Sequence, residues 1–201
     1  MHLTLVFYSF IANPPTMKTL SLIVLMLTSL AAVSQGVFNN NTNSALQKVI
    51  EDYPNKFKNI QGDKISSEQQ KIDYRSKIEV AGASSSIITH YTSSKTELYS
   101  WKTDLFESSS FDQSRDRFKE VFNNIKNTIV KIEGKPAVIL NGNYEYPGED
   151  KKNTTINFQL LPASSDMQKL KVDLCMIHEG SAWKVVLMVY EKERNDEVVS
   201  Y

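Results

Sequence analysis

The sequence predicts an α+β fold, with two amphipathic helices packed on a predominantly antiparallel sheet. Three observations carry that expectation. Apolar residues recur at helical spacing in two stretches, one around residues 46–60 and one around 118–129. Elsewhere they alternate with polar residues at a period of two, the pattern of strands with one covered face. The last alternating stretch is apolar on both sides, as in a strand at the centre of a sheet.

Taken in order, the first helix is expected to open at Ser44, with Gln47 three residues on as the second half of a capping box. Leu46, Val49, Ile50, Tyr53, Phe57 and Ile60 form its apolar stripe. Pro54 limits the regular part, because it cannot donate to the helical ladder. A strand follows in which Tyr74, Ile78 and Val80 alternate with Arg75, Lys77 and Glu79; the next runs from Ser86 to Tyr91. Thr92-Ser93-Ser94-Lys95 reads as a turn into a longer strand, Thr96 to Phe106. There Tyr99, Trp101 and Leu105 face one side, and Ser100, Lys102 and Asp104 the other.

Ser110 and Gln113 repeat the capping signal ahead of Phe118, Val121, Phe122, Ile125 and Ile129, the stripe of a second helix. Beyond it Val138, Leu140, Tyr144 and Tyr146 share a face opposite Asn141, Asn143 and Glu145. Pro147-Gly148-Glu149-Asp150 is a turn, and Ile156, Phe158 and Leu160 mark the return strand. A hairpin from about Lys169 to Tyr190 turns at Glu179-Gly180-Ser181. In its last strand Val185, Leu187 and Val189 oppose Val186, Met188 and Tyr190. A faint echo links the two helical regions: Phe57-Lys58-Asn59-Ile60 against Phe122-Asn123-Asn124-Ile125. An internal duplication into α-β-β-type halves, 45–107 and 110–192, would account for it.

Residues 1–34 contain a single charged side chain, Lys18. Met17-Lys18-Thr19 opens an apolar run from Leu20 to Val33 that ends in small residues, and this is the layout of a secretory signal peptide cut after Ser34. The run is too short to cross a bilayer comfortably, so no transmembrane segment is expected after cleavage. Pro14 and Pro15 separate it from the apolar stretch upstream, which makes Met17 the expected start. A polar leader, residues 35–43, then precedes one α+β domain at 44–192, with a charged tail at 193–201.

Composition removes several kinds of chemistry. The chain has 201 residues with 23 Lys+Arg against 23 Asp+Glu, which argues against a basic nucleic-acid footprint. One cysteine excludes an internal disulfide and multi-cysteine metal sites, and no cofactor fingerprint appears among seven glycines. Cys175 lies in an apolar strand with no flanking cation, the setting of a core residue rather than of an activated thiol. His90 and His178 are the candidate acid-base groups after processing, the latter beside Glu179, and neither has a metal-ligand neighbour.

The leader Ala32-Val33-Ser34-Gln35, the Asn-, Lys- and Ser-rich body and the run Asp52-Tyr53-Pro54-Asn55-Lys56-Phe57-Lys58-Asn59-Ile60 resemble small exported proteins of Bacteroidota-type bacteria. The resemblance implies a periplasmic or extracellular location and brings no activity or site residues. The resulting expectation is a non-enzymatic binding or interaction module of the cell envelope, without metal or cofactor. It would use an apolar sheet face or groove drawn from Tyr99, Trp101, Tyr144, Tyr146, Val186, Met188 and Tyr190. A protein, an apolar small molecule or a second copy of the chain would suit such a face. The alternative is a small hydrolase or transferase built on His90, or on His178 with Glu179.

Overall fold

The computed structural model describes residues 38–92, 97–162 and 167–192, with side chains from residue 42 onward. The export segment, the first part of the polar leader, most of the turn at 92–95 and the charged tail lie outside the described residues. Helix α1 spans Phe38–Asp52 and α2 spans Phe111–Ile125. The first group of strands is β1 Gln61–Ser67, β2 Lys71–Ser76, β3 Ser85–Tyr91 and β4 Leu98–Ser108. The second is β5 Ile129–Val130, β6 Val138–Asn141, β7 Asn153–Leu161, β8 Leu170–Glu179 and β9 Ala182–Glu191. This is the expected α+β class.

All nine strands join one sheet in the order β1-β2-β3-β4-β9-β8-β7-β6-β5, with every neighbouring pair antiparallel. Each meander starts at an edge and walks to the middle, where β4 and β9 pair. Strand β9 is therefore fifth of nine, the interior position that its two apolar faces predict. Gly180 has a φ of 63° and turns β8 into β9, so that Glu179 faces Ala182 across a two-residue loop.

One face of the sheet, here called inner, carries the core. Trp101 and Leu105 of β4, Val185, Leu187 and Val189 of β9, Val172 and Leu174 of β8, and Ile156 and Phe158 of β7 belong to it. Leu46, Val49 and Ile50 of α1 and Phe118, Val121, Phe122 and Ile125 of α2 fall in the same continuous cluster. For α2 the seam is explicit. The Ser114 hydroxyl donates to the Trp183 carbonyl at 3.4 Å, and Phe111 meets the Trp183 ring edge-on at 5.0 Å.

The end of α1 departs from the expected stripe in an instructive way. The helix stops at Asp52, a 3-10 turn covers Tyr53–Asn55, and Lys56 and Phe57 both take left-handed φ values of 55° and 56°. That conformation costs roughly 1–2 kcal/mol per non-glycine residue. It delivers Phe57 into the core fully buried, which contributes about 1.5–3 kcal/mol. The Asp52 carboxylate fixes the bend: Oδ2 accepts from the backbone N–H of Asn59 and of Ile60, at 3.0 and 3.3 Å. Its Oδ1 accepts from the side-chain amides of Asn59 and Asn55, at 2.6 and 3.0 Å. The Asp52–Ile60 run is thus a folded staple between α1 and β1.

Other boundaries differ from expectation for local reasons. Ser44 lies inside α1, which begins at Phe38, so it caps nothing. Ser110 does cap α2, its hydroxyl accepting from the Gln113 N–H at 3.4 Å. Strand β1 escaped the sequence reading because Gln61–Ser67 is half or fully exposed throughout and polar but for Ile65, with no alternation to detect. Strand β2 ends at Ser76, and residues 77–84 form a connection rather than a strand continuing to Val80. Ile129 leaves the helical stripe and stands exposed on β5. Tyr144 and Tyr146 sit in an irregular connection after β6, not on a strand.

Candidate functional site

The opposite, outer face of the sheet is built by the alternate residues of the same strands. Asp173 and Cys175 of β8 lie across from Met188 and Val186 of β9; Lys102 and Asp104 of β4 lie beyond these, with Asn157 and Thr155 of β7 on the other flank. None of these residues belongs to the inner cluster. Val186 and Cys175 are nevertheless almost wholly buried, at 1% and 3% exposure, while Met188 and Tyr190 are half-buried.

The centre of this face is a carboxylate held by neutral donors. Asp173 is 4% exposed. Its Oδ2 accepts from the Tyr190 hydroxyl at 2.8 Å and its Oδ1 from the Asn157 amide at 2.7 Å. Beside it, Thr155 Oγ1 and Cys175 Sγ share a hydrogen bond at 3.4 Å. Burial pushes the Cys175 thiol up to about 11, against an ordinary value near 9, so at neutral pH it is a protonated, unreactive group. Further along the face, Asp104 pairs with Lys102 at 3.2 Å and accepts from the Ser85 hydroxyl at 2.8 Å. Asp73 accepts from Thr89 at 2.7 Å and Ser66 at 3.0 Å.

The residues expected at a binding face divide between the two sides. Val186, Met188 and Tyr190 share the outer face. Tyr99 and Trp101 point into the core instead, and Trp101 is fully buried with its indole N–H donated to Ser76 Oγ at 3.0 Å. That serine also donates to the Ile78 carbonyl and accepts from the Ile78 N–H, which uses all its hydrogen-bonding capacity. Tyr144 packs at tilted angles on Phe118 and Phe122, with Tyr146, two-thirds exposed, edge-on against it. These four aromatics do not join Met188 and Tyr190 in one groove.

The histidines are stacked rather than paired for proton transfer. His90 lies flat on Tyr99 at 4.3 Å, and His178 on Trp183 at 4.3 Å. Glu179 turns away from His178, as adjacent strand residues must, and binds Lys184 Nζ at 2.6 Å. That lysine lowers the Glu179 pKa, chiefly through the hydrogen bond. Among the described residues no group of three or more His, Cys, Asp and Glu side chains could hold a metal ion. No described helix is long and apolar enough to cross a membrane.

Sequence reasoning missed Asp173 and Asn157. The signal was present as a lone acid inside the apolar run Leu170–Ile177, a placement that costs free energy unless the acid is hydrogen-bonded. A separate groove of about 430 Å³ lies between α1 and the 77–83 connection, lined by Ser44, Ala45, Lys48 and residues 77–83. None of the expected site residues borders it. The chain matches no protein-family model, and comparison with curated proteins and with solved structures gives no match.

Proposed function

We propose that the chain is an exported, non-enzymatic binding module of the cell envelope, acting through the outer face of its sheet. The observation that carries this reading is where the exposed apolar side chains lie. Tyr91, Ile129, Ile139 and Leu161, four of the six large exposed hydrophobics among the described residues, occupy outer-face positions. Met188 and Tyr190 stand between them at the sheet centre. An open sheet face is ordinarily polar, and apolar residues concentrated on one mark a contact surface. Export rests on the layout of residues 1–34.

A duplicated α-β architecture, with both helices against the inner face, belongs to the same proposal. Each half runs from a helix through a meander to a strand that pairs at the centre. Each also places one histidine flat on an aromatic residue directly across its final hairpin, His90 on Tyr99 and His178 on Trp183.

The test is an apolar fluorescent dye titrated onto the full chain and onto two lysine variants, Met188→Lys on the outer face and Ile65→Lys on the edge strand. Dye binding is expected to fall in the first and persist in the second. Equal binding by wild type and Met188→Lys, with both folded by circular dichroism, would remove the proposal's support.

A further inference from the structure

Resting on that reading of the outer face, we infer that its occupant is a second copy of this chain, docked sheet to sheet about a twofold axis. Size is the first argument. The six strands β3, β4, β9, β8, β7 and β6 have 7, 11, 10, 10, 9 and 4 residues. At strand spacings near 4.8 Å and about 3.3 Å per residue, they span roughly 800 Å². A standard interface takes about 800 Å² from each partner, so this face is of the right size to bury itself against its own copy.

Charge is the second argument. Outer-face charges on these strands include opposite-sign partners: Lys102 with Asp104 on β4, Lys171 with Asp173 on β8, and Lys184 with Glu179 across the β8–β9 turn. Neither sign dominates, so the face has no bias toward an acidic or a basic partner. A twofold axis brings the same balanced pattern to both sides, and self-complementarity is what an isologous interface requires. The exposed aliphatics Ile139 and Leu161 then lie toward the rim on one flank and Tyr91 on the other, with Met188 between. Packed sheets at about 10 Å separation accommodate side chains of this size.

The experiment is the solution mass of the full chain by light scattering over a wide concentration range. Two outer-face variants, Met188→Lys and Ile139→Lys, are compared with Ile65→Lys on β1. Ile139 is already exposed, so its lysine variant keeps the test valid if Met188→Lys fails to fold. The expected result is twice the chain mass for wild type and Ile65→Lys. The dimer dissociation constant should rise by about tenfold or more in the outer-face variants. A single-chain mass at every concentration overturns the inference, as does a dimer that Ile139→Lys leaves unchanged. If the chain is monomeric yet dye binding still depends on Met188, only the second copy is lost and the binding face stands.

Discussion

Tyr190 reaches diagonally across the β8–β9 pair and donates its hydroxyl to Asp173 Oδ2 at 2.8 Å, on the face of the sheet away from the core. An acid with so little exposure is tolerable only because two neutral donors satisfy it, and it sits in the middle of the longest strand pairing. The contact ties the half-buried rim of the candidate site to its buried centre.

Removing that hydroxyl should therefore act on stability. Tyr190→Phe keeps the ring and leaves one Asp173 oxygen without its donor, at a cost of about 1–3 kcal/mol. Asn157→Ala should cost a similar amount. Because both act on one carboxylate, the double variant should be non-additive in urea unfolding. Strict additivity would show that the two donors do not share Asp173 as their acceptor.

Cys175 gives a pH-dependent signature. Its thiol stays protonated in the fold up to about pH 11, whereas the unfolded thiol ionises near 9. A raised folded pKa stabilises fully below the unfolded value, and that stability is lost as pH rises through the window from about 9 to about 11. By the top of the window the loss from this one group is roughly 2–3 kcal/mol. The stability of Cys175→Ala should accordingly fall less steeply than wild type between those limits, measured by denaturant unfolding at stepped pH. Parallel curves would count against a buried, desolvated thiol.

Two serines that look alike in sequence should respond differently to alanine. Ser110→Ala removes a helix cap and should destabilise by about 1 kcal/mol. Ser44→Ala replaces an exposed residue inside α1 with the better helix former, and should be neutral or stabilising by up to about 0.5 kcal/mol. Thermal unfolding of the two single variants distinguishes these outcomes.

The sequence by itself determined which residues share a face. Alternation in Tyr99–Leu105, Ile156–Leu160 and Val185–Tyr190 predicts the inner and outer sets that the structure contains, because side-chain direction in a strand follows directly from residue parity. It also pointed to β9 as central, since apolar residues on both faces belong to an interior strand rather than to an edge. Periodicity could not find β1, whose polar residues satisfy their edge position without a pattern. Nor could it detect the left-handed bend at Lys56 and Phe57, which depends on Asp52 reaching residues seven and eight positions away.

Only the tertiary structure decided which apolar face the core occupies and what gathers on the other. Trp101 and Met188 look equally fit for a binding face in the sequence, yet one is sealed beside Ser76 and the other stands half-open next to Asp173. The reason is physical: parity assigns a residue to a side of its own strand, while burial depends on the neighbours that strand order brings beside it. That order, two meanders closing on β4 and β9, is made of contacts between residues up to about ninety positions apart, and no local pattern encodes them.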